Sequence, residues 1–406
     1  MTIDLEAVYT DLHRNPELSY AEHRTAGIVA DHLTALGLRV TTGVAGTGVV
    51  GVLENGEGPT VLLRADMDGL PVEEATGLDY ASTARGIDPD GQDVPVMHAC
   101  GHDVHVTCLL GAVERLVDTR LEWSGTVVAL FQPAEELGNG ALQMIADGLY
   151  DRVPRPDIVL GQHVTPFPAG LVGAHEGPAF AATDNVTVRL IGQGGHGSRP
   201  ETTVDPILMA AATVMRLQGI VSREVAASDS AVVTVGTLHA GSKINIIGPD
   251  ATLGINVRSY DQQVRDRVLA AITRIAEAEA AASGALVKPE ITHADAFDAL
   301  VNDPDATRRT MAAFRARFGA ESVVDPGAVS GSEDVGQLAT AAGVPLVYWL
   351  IGGSDPQRFA AAAAAGRVDQ DIPSNHSPSF APVIQPTLSV GVTALETAAR
   401  EWLAGR

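Results

Sequence analysis

One short segment of the sequence concentrates side chains that bind metal ions. It runs MHACGHDVH from residue 97 to residue 105, with the thiol of Cys100 among three imidazoles. A thiolate and imidazoles are the donors that a borderline-soft ion such as zinc prefers. Gly101 lets the backbone bend, so that the side chains of Cys100 and His102 can converge. The alternative is a cysteine packed as a small hydrophobic residue beside surface histidines.

Two adjacent carboxylates, Glu135 and Glu136, follow an apolar run that ends at Phe131. Ligands and bases in open α/β sheets gather at the carboxyl ends of strands. Because neighbouring side chains point in different directions, one carboxylate can bind a metal while the other faces a metal-bound water. The structural alternative is an acidic helix N-terminus that the helix dipole stabilises.

Two further histidines lie in distant segments. His163 ends an apolar run that begins at Ile158, and His376 lies in a turn-rich segment, Ile372–Pro378. A lone histidine at either position is more often structural or merely exposed than a ligand. Four separate segments that offer Cys, His and Glu at strand ends or in loops together indicate one site.

Asp66 and Asp68 close another predicted strand. Their spacing of two residues turns both side chains to one face if the strand continues. They either bind metal directly or orient a ligand imidazole through its second ring nitrogen.

A glycine-rich segment, Gly192–Gly197, carries His196. It superficially resembles a nucleotide-binding loop, but Pro200 and several polar residues separate it from the next helix, so we discount nucleotide binding. The glycines would instead bring His196 close to a substrate, where an imidazole can stabilise a developing oxyanion.

The elements that position these side chains follow from the spacing of apolar residues. Residues 5–12 predict a first helix, and Ser19 with Glu22 predicts a capping box before a second helix that ends at Gly37. Short apolar runs alternating with helices are typical of a buried, mostly parallel sheet. The predicted strands are 49–53, 61–65, 126–131 and 158–161.

From about residue 185 the pattern changes to strands with one wet face. The predicted order is a strand, helix 204–221, strands 231–238 and 251–259, helix 262–282 and a strand near 286–291. This βαββαβ order is ferredoxin-like. A buried strand, 344–350, and a closing helix, 386–402, follow.

The predicted fold class is therefore α/β. A mixed, mostly parallel sheet flanked by helices forms a discontinuous catalytic domain, residues 1–183 and 296–406. An inserted ferredoxin-like α+β domain, residues 184–295, would serve as a lid and dimerisation domain.

Composition excludes several classes of function. The 406 residues are enough for two domains, and 50 acidic against 27 basic residues give a formal charge of -23. Such a charge repels nucleic acid and anionic membrane surfaces, so neither is an expected partner. The start lacks a signal-peptide pattern and no apolar run reaches the ~20 residues of a membrane helix, so we expect the protein in the cytoplasm.

The two cysteines, Cys100 and Cys108, are expected to be free thiols.

With these segments together, the chain resembles the zinc-dependent aminoacylase and carboxypeptidase family of metallopeptidases. The resemblance is to its amidohydrolase branch, with hippurate hydrolase and the hydrolases of auxin–amino acid conjugates. It extends from Leu12–Leu18 (LHRNPEL) to His376–Phe380 (HSPSF) in the same order.

The resemblance implies roles for individual residues. Two divalent metal ions per subunit, zinc or manganese with cobalt or nickel as alternatives, would be bound by Cys100, His102, Glu136, His163 and His376. Glu135 would be the general base, and Asn245 and Arg258 would bind the carboxylate of the substrate. His196 would reach the reacting carbonyl from a partner subunit, which implies a homodimer formed through the inserted domain. Asp66 and Asp68 would support the ligands rather than bind the ions.

The predicted function is hydrolysis of the amide bond of a small N-acyl amino acid, such as an N-acetyl or N-benzoyl derivative. A metal-activated water would attack, and Glu135 would carry its proton to the leaving amine. Dipeptidase or carboxypeptidase cleavage at the same site is one alternative. A metal-independent amidase with Cys100 as nucleophile is another, and a metal-binding protein without turnover is a third.

Overall fold

A computed structural model describes residues 3–405, apart from the side chain of Asp295. The chain divides into two compact units. The first unit comprises Met1–Gly177, Val301–Gly327 and Asp334–Arg406, and the second comprises Pro178–Leu300 and Ala328–Glu333. The domain boundaries expected from the sequence, after residues 183 and 295, stay a prediction.

The N-terminal part of the first unit alternates helices with strands. Its helices are α1 (Leu5–Arg14), α2 (His23–Ala35), α3 (His102–Asp118), α4 (Gly140–Ala146) and α5 (Leu149–Arg152). Its strands are β1 (Arg39–Val44), β2 (Gly48–Glu54), β3 (Thr60–Asp66), β4 (Arg85–Ile87), β5 (Asp93–Pro95), β6 (Trp123–Ser124), β7 (Thr126–Gln132), β8 (Ile158–Pro168) and β9 (Val172–Gly173).

The middle of the chain supplies the second unit. Its strands are β10 (Gly177–Phe180), β11 (Ala182–Ile191), β12 (Gly195–His196), β13 (Ala231–Ala240), β14 (Ile246–Ile247), β15 (Asp250–Ser259) and β16 (Glu290–Phe297). Its helices are α6 (Pro206–Arg223) and α7 (Gln262–Ala282).

The C-terminal part returns to the first unit, apart from Leu300 and Ala328–Glu333. Its strands are β17 (Leu300–Asn302), β18 (Val323–Val324), β19 (Leu346–Ser354) and β20 (Ala404–Gly405). Its helices are α8 (Pro304–Phe318), α9 (Gly336–Ala342), α10 (Pro356–Ala364), α11 (Val368–Asp371) and α12 (Ile384–Trp402). Among the residues that the structure describes, no helix is both long enough and apolar enough to cross a membrane.

The central sheet of the first unit has the mixed, mostly parallel character predicted from the sequence. Within residues 3–405 its strand order is β1-β2-β7-β3-β8-β19-β9-β18. Neighbours from β7 to β19 run parallel, whereas β1, β2 and β9 introduce antiparallel pairs. Side chains from the strands, such as Leu63, Phe131 and Trp349, share one buried core with Leu109 of α3 and Leu388 of α12. Burial on both faces explains why these strands are nearly all apolar.

The second unit has the predicted ferredoxin-like order. Its antiparallel sheet runs β13-β15-β11-β16 in the described residues. One buried core joins Val186 and Leu253 of the sheet to Leu217 of α6 and Ile272 of α7. The last strand begins at Glu290 rather than near residue 286, because the preceding apolar residues are exposed in the connection after α7.

The start of α2 differs from the predicted capping box. The Ser19 hydroxyl donates to Oδ2 of Asp68 (2.7 Å), and the buried Glu22 carboxylate accepts from the Thr47 hydroxyl. The carboxylate of Glu17 accepts from the first backbone amides of the helix instead. Ser19 and Glu22 have the spacing of a capping box, but both side chains are bound by residues far away in the chain.

A buried imidazole ties α1 to α3. Nδ1 of His13 lies 2.6 Å from Oδ2 of Asp103, at the start of α3, and Nε2 lies 3.1 Å from Oε1 of Glu74. Burial alone would lower the pKa of His13, but the Asp103 and Glu74 carboxylates raise it to about 10. The ring is therefore an imidazolium at neutral pH and donates from both nitrogens.

We expect His13→Ala to destabilise the protein by about 3–5 kcal/mol, because it leaves two buried carboxylates without their cation. The pKa of His13 is raised from its usual 6.5 to about 10 on folding, so the proton-linked stabilisation is complete below pH 6.5 and disappears as the pH rises towards 10. Urea unfolding across that range measures it. The exposed His23→Ala is the control and should change the free energy of unfolding by less than ~0.5 kcal/mol. An equally large loss at every pH would contradict the charged form of His13.

Candidate metal centre

The candidate residues of the first unit meet at one edge of the central sheet. The strands β3, β7 and β8 run parallel, so their carboxyl ends lie at the same edge. Asp66, the last residue of β3, pairs in register with Gln132, the last residue of β7. Glu135 lies three residues after the end of β7, and His163 is the central residue of β8. Polar side chains from three distant segments are thereby brought together.

The turn before α3 places Cys100 and His102. Gly101 has a left-handed φ of 85°, as expected of a glycine that bends the backbone between two ligands. A Cβ at this position would lie 2.4 Å from Cγ1 of Val164, so the turn lies directly against the strand that carries His163. His102 is the first residue of α3.

The Asp68 carboxylate organises both His102 and the paired glutamates. Its Oδ1 lies 3.2 Å from Nδ1 of His102 and accepts from the backbone N–H of Glu135 (3.1 Å). Its Oδ2 accepts from the backbone N–H of Glu136 (3.1 Å) and from the Ser19 hydroxyl (2.7 Å). The glutamates form a single 3-10 turn, Glu135–Leu137. Asp68 thus orients a candidate ligand and holds the turn that carries two carboxylates.

The remaining candidate ligands surround the Cys100 thiol. Nε2 of His163 lies 3.4 Å from Sγ of Cys100, while Nδ1 of His163 donates to the carbonyl oxygen of Val164 (2.7 Å). The lone pair on Nε2 therefore faces the thiol. On the other side, Nε2 of His376 lies 3.4 Å from Oε2 of Glu136.

Asp66 contacts an imidazole that the sequence prediction left without a role. Its Oδ1 lies 2.5 Å from Nδ1 of His105, whose Nε2 accepts from the backbone N–H of Val164 (2.8 Å). Its Oδ2 accepts from the buried guanidinium of Arg64 (2.5 Å). Asp66 lies farther from Nδ1 of His102, at 3.7 Å. Asp66 therefore lies behind the candidate ligands, paired with a buried cation.

Two groups of donor atoms share the Cys100 thiol. One group is Cys100, His102 and His163, and the other is Cys100, Glu136 and His376. In each group the potential ligand atoms all lie within 4.8 Å of one another. Nε2 of His102 and Oε1 of Glu136 are buried without a hydrogen-bond partner among the described residues. Sulfur, nitrogen and oxygen donors of these kinds would suit divalent metal ions, and Cys100 is common to both groups.

The electrostatics of the centre also favour cations. Burial alone would lower the pKa of His102, but Asp66 and Asp68 raise it to about 10. Burial, followed by the neighbouring carboxylates of Glu136 and Glu135, raises the pKa of the Cys100 thiol well above its usual range. Without metal, both groups therefore hold protons at neutral pH. Divalent ions would displace these protons, since imidazole and thiol ligands must be deprotonated to bind.

In the second unit, His196 and Asn245 lie on neighbouring segments. His196 on β12 pairs in register with Ile246 on β14, and the backbone N–H of Gly197 donates to the carbonyl oxygen of Asn245 (2.9 Å). The backbone N–H of Ser198 donates to Nδ1 of His196 (3.1 Å). A neutral ring therefore carries its proton on Nε2 and can donate from that nitrogen.

Arg258 has different partners. It lies on β15, and its Nη1 donates to the carbonyl oxygen of Ser330 (2.5 Å). The two candidates for carboxylate binding, Arg258 and Asn245, are thus held by separate segments of the second unit.

Several residues that shape the centre were missed at the level of sequence. His105 had a usable signal, because it follows His102 by three residues on α3 and so shares a helix face with it. The contacts of Asp68 with the glutamate turn and with Ser19 had no local signal. They join segments separated by 67, 68 and 49 positions.

Comparisons with known proteins found a family model and relatives that match most of the chain. The model of the family described as Peptidase family M20/M25/M40 matches residues 62–372. Thermostable carboxypeptidase 2 of Saccharolobus solfataricus is 37% identical over 346 residues, which cover 84% of this chain and 84% of the relative. Hippurate hydrolase of Campylobacter jejuni is 39% identical over 287 residues, which cover 70% of this chain and 72% of the relative.

A solved structure is similar over nearly its whole length. The YXEP protein of Bacillus subtilis, a dinuclear metal-binding peptidase of the M20 family, superimposes with a TM-score of 0.78 at 27% identity. The match covers 98% of this chain and 98% of that chain.

We expect Gly101→Ala to distort the turn between Cys100 and His102. The left-handed conformation costs an alanine ~1–2 kcal/mol, and the added Cβ also collides with Val164. Metal analysis and thermal unfolding should show weaker metal binding and lower stability.

Gly366→Ala is the matched control, since Gly366 has a φ of 65° with no atom within 4 Å of an added Cβ. Gly366→Ala should be destabilised only by the cost of the left-handed conformation and should bind metal as the wild type does. Equal losses of stability and of metal binding in the two variants would contradict the close approach of Gly101 to Val164.

Proposed function

The chain belongs to peptidase family M20/M25/M40, and from that premise we propose that it hydrolyses the amide bond of N-acyl amino acids at this metal centre. Membership makes it a hydrolase that acts on amides. The observation that carries the proposal is the meeting of two donor groups at Cys100 beside the Glu135 carboxylate. The relative named for hippurate, an N-acyl amino acid, supports the substrate class.

We assign the ion ligands from the donor geometry. Cys100, His102 and His163 would hold one ion, and Cys100, Glu136 and His376 the other. When bound, two divalent cations lower the pKa of a water molecule from ~15.7 to about 7 and polarise a carbonyl group. Zinc and manganese are the preferred candidates, because the set mixes sulfur, nitrogen and oxygen donors.

Glu135 is suited to move the proton. Its side chain is 7% exposed, and its Oε2 lies 3.8 Å from Nε2 of His102, at the edge of the donor groups. Asp68 holds its backbone N–H, so the turn is oriented before substrate arrives. Glu135 would accept a proton from the attacking water and return it to the leaving nitrogen, which is general base and then general acid catalysis.

The second unit would bind the rest of the substrate. The N–H of His196 is exposed and could donate to a developing oxyanion, and Arg258 with Asn245 could pair with the carboxylate of the amino acid. We propose that His196 acts across a homodimer, which the family resemblance implies.

The raised pKa of the Cys100 thiol argues against the alternative function, an amidase with Cys100 as its nucleophile. Cys100 and His163 are close enough for a catalytic pair, at 3.4 Å. However, burial and the nearby carboxylates raise the pKa of Cys100 well above its usual range, and burial followed by His105 holds the pKa of His163 well below its own. A thiolate–imidazolium pair is therefore unfavourable at neutral pH, whereas a thiolate stabilised by cations is not.

Exposed apolar residues on the second unit support the homodimer. The strand β13 lies at an edge of its sheet and exposes Val232 and Leu238. Leu208 and Met215, seven residues apart on α6 and therefore on one face, are 64% and 74% exposed. An exposed edge strand beside an apolar helix face is typical of a surface that pairs with another chain.

The proposal is tested with metal-stripped protein reloaded with zinc, manganese, cobalt or nickel. We expect metal-dependent hydrolysis of N-acetyl and N-benzoyl amino acids, with dipeptides as the arm for carboxypeptidase-like cleavage. Glu135→Gln should retain both ions and lose about 10²–10⁴-fold in turnover, because the proton acceptor is gone.

Glu57→Gln, at an exposed surface position, is the control and should match the wild type. Activity that survives exhaustive chelation would favour the Cys100 amidase. Near-normal turnover of Glu135→Gln would overturn its role as general base.

If the chain forms this homodimer, a double variant on α6 should halve the molar mass measured in solution. Leu208→Glu with Met215→Glu places charges on the apolar face of α6, so light scattering should show a monomer. Leu286→Glu alters a 91% exposed leucine elsewhere in the second unit and should leave a dimer. A monomeric wild type would contradict the assignment.

A further inference from the structure

A single amide side chain, that of Asn375, joins three segments of the candidate metal centre. Its Nδ2 group donates to the carbonyl oxygen of Cys100 and to that of Val164, both at 3.1 Å. Val164 directly follows His163, and Asn375 directly precedes His376. This side chain therefore contacts the backbone of one proposed ligand, Cys100, and of the residue after a second, His163, while Asn375 itself precedes the third, His376.

The Val164 carbonyl is shared with a ligand. The same oxygen that accepts from Asn375 accepts from Nδ1 of His163 (2.7 Å). That second bond leaves Nε2 of His163 as the nitrogen that faces the Cys100 thiol. Asn375 therefore helps to hold the acceptor that sets the tautomer and orientation of His163.

The backbone at His376 depends on its surroundings. His376 has a left-handed φ of 69°, uncommon for a residue other than glycine. Its backbone N–H donates to the carbonyl oxygen of Ala99 (2.8 Å), one residue before Cys100. Such a conformation persists only where neighbouring contacts over-determine it, and the paired bonds of Asn375 supply two of them.

We propose that Asn375 is a positioning residue that couples the two ion positions of the centre. Cys100 belongs to both donor groups, so its backbone must be held in one place relative to His163 and to His376. The Asn375 amide donates to the carbonyl oxygen of Cys100 and to that of Val164, the residue after His163. Asn375 also directly precedes His376 in the chain. The inference rests on the two-ion centre proposed above and assigns to Asn375 the affinity of the ion held by Cys100, Glu136 and His376.

A purely structural role can be separated from this one by a matched residue. Asn302 makes the same kind of contact in the same unit, since its Nδ2 group donates to the carbonyl oxygens of His175 and Tyr348, both at 2.9 Å. Neither partner belongs to the donor groups around Cys100. Asn302→Asp should therefore lower stability without changing metal binding.

The experiment compares the wild type with Asn375→Asp, Asn375→Ala and Asn302→Asp. Each stripped protein is titrated with cobalt, while the thiolate-to-cobalt absorption and the bound metal per chain are followed. Asn375→Asp removes donor capacity and adds a carboxylate facing two carbonyls, whereas Asn375→Ala only removes the donors. Loss of an outer hydrogen bond to a metal centre commonly weakens binding about 10–100-fold.

We expect two ions per wild-type chain, and a second ion bound about 10–100-fold more weakly in both Asn375 variants. Excess metal should restore much of their turnover, whereas Asn302→Asp should keep wild-type affinity for both ions. Wild-type affinity in a folded Asn375→Ala, or an equal loss in Asn302→Asp, would overturn the role of Asn375. A wild type that binds fewer than two ions would instead overturn the two-ion centre itself. Failure of the proposed centre can therefore be distinguished from failure of the role assigned to Asn375.

Discussion

The four contacts of the Asp68 carboxylate are the interaction on which the candidate centre depends. Oδ1 contacts His102 and the backbone of Glu135, and Oδ2 accepts from Glu136 and Ser19. Four contacts use the full acceptor capacity of a carboxylate, so this buried charge is well compensated. Burial alone would raise the pKa of Asp68, but the hydrogen bond and the charge of His102, together with the hydrogen bond from Ser19, lower it below its usual value. One side chain thus sets the relative position of a proposed ligand and of the glutamate turn.

Negative charge is concentrated around this carboxylate, and that charge distinguishes the centre from an ordinary buried core. Glu135, Glu136, Asp66 and Asp68 lie near His102. The buried guanidinium of Arg64 is paired with Asp66 and Asp334. The imidazolium of His102 offsets part of the remaining charge, and the raised pKa of Cys100 keeps its thiol neutral rather than adding a further negative charge. Divalent ions would replace the protons on both groups and compensate the same carboxylates, which is a physical reason for the donor set to bind two.

Much of the fold was predictable because it is encoded locally. The strand runs near residues 61–65 and 126–131 are apolar except for Arg64 and Thr126, and the helix 262–282 was located at its observed bounds. Prediction failed where distant residues outweighed a local pattern. Ser19 and Glu22 have the spacing of a capping box, yet Asp68 and Thr47 bind them. The strand expected near residue 286 begins at Glu290, because apolar composition alone does not ensure burial.

The sequence by itself determined which chemistry was available: a thiol, imidazoles and carboxylates at the ends of predicted strands, with a glycine where the chain must bend. Side-chain chemistry and hydrophobic periodicity are local properties, so they can be recognised without coordinates. Only the tertiary structure decided that Cys100 belongs to two donor groups, that Asp66 pairs with His105 and Arg64, and that Asn375 reaches two carbonyls. These are distances between segments far apart in the chain, and they are set by how the strands and helices pack.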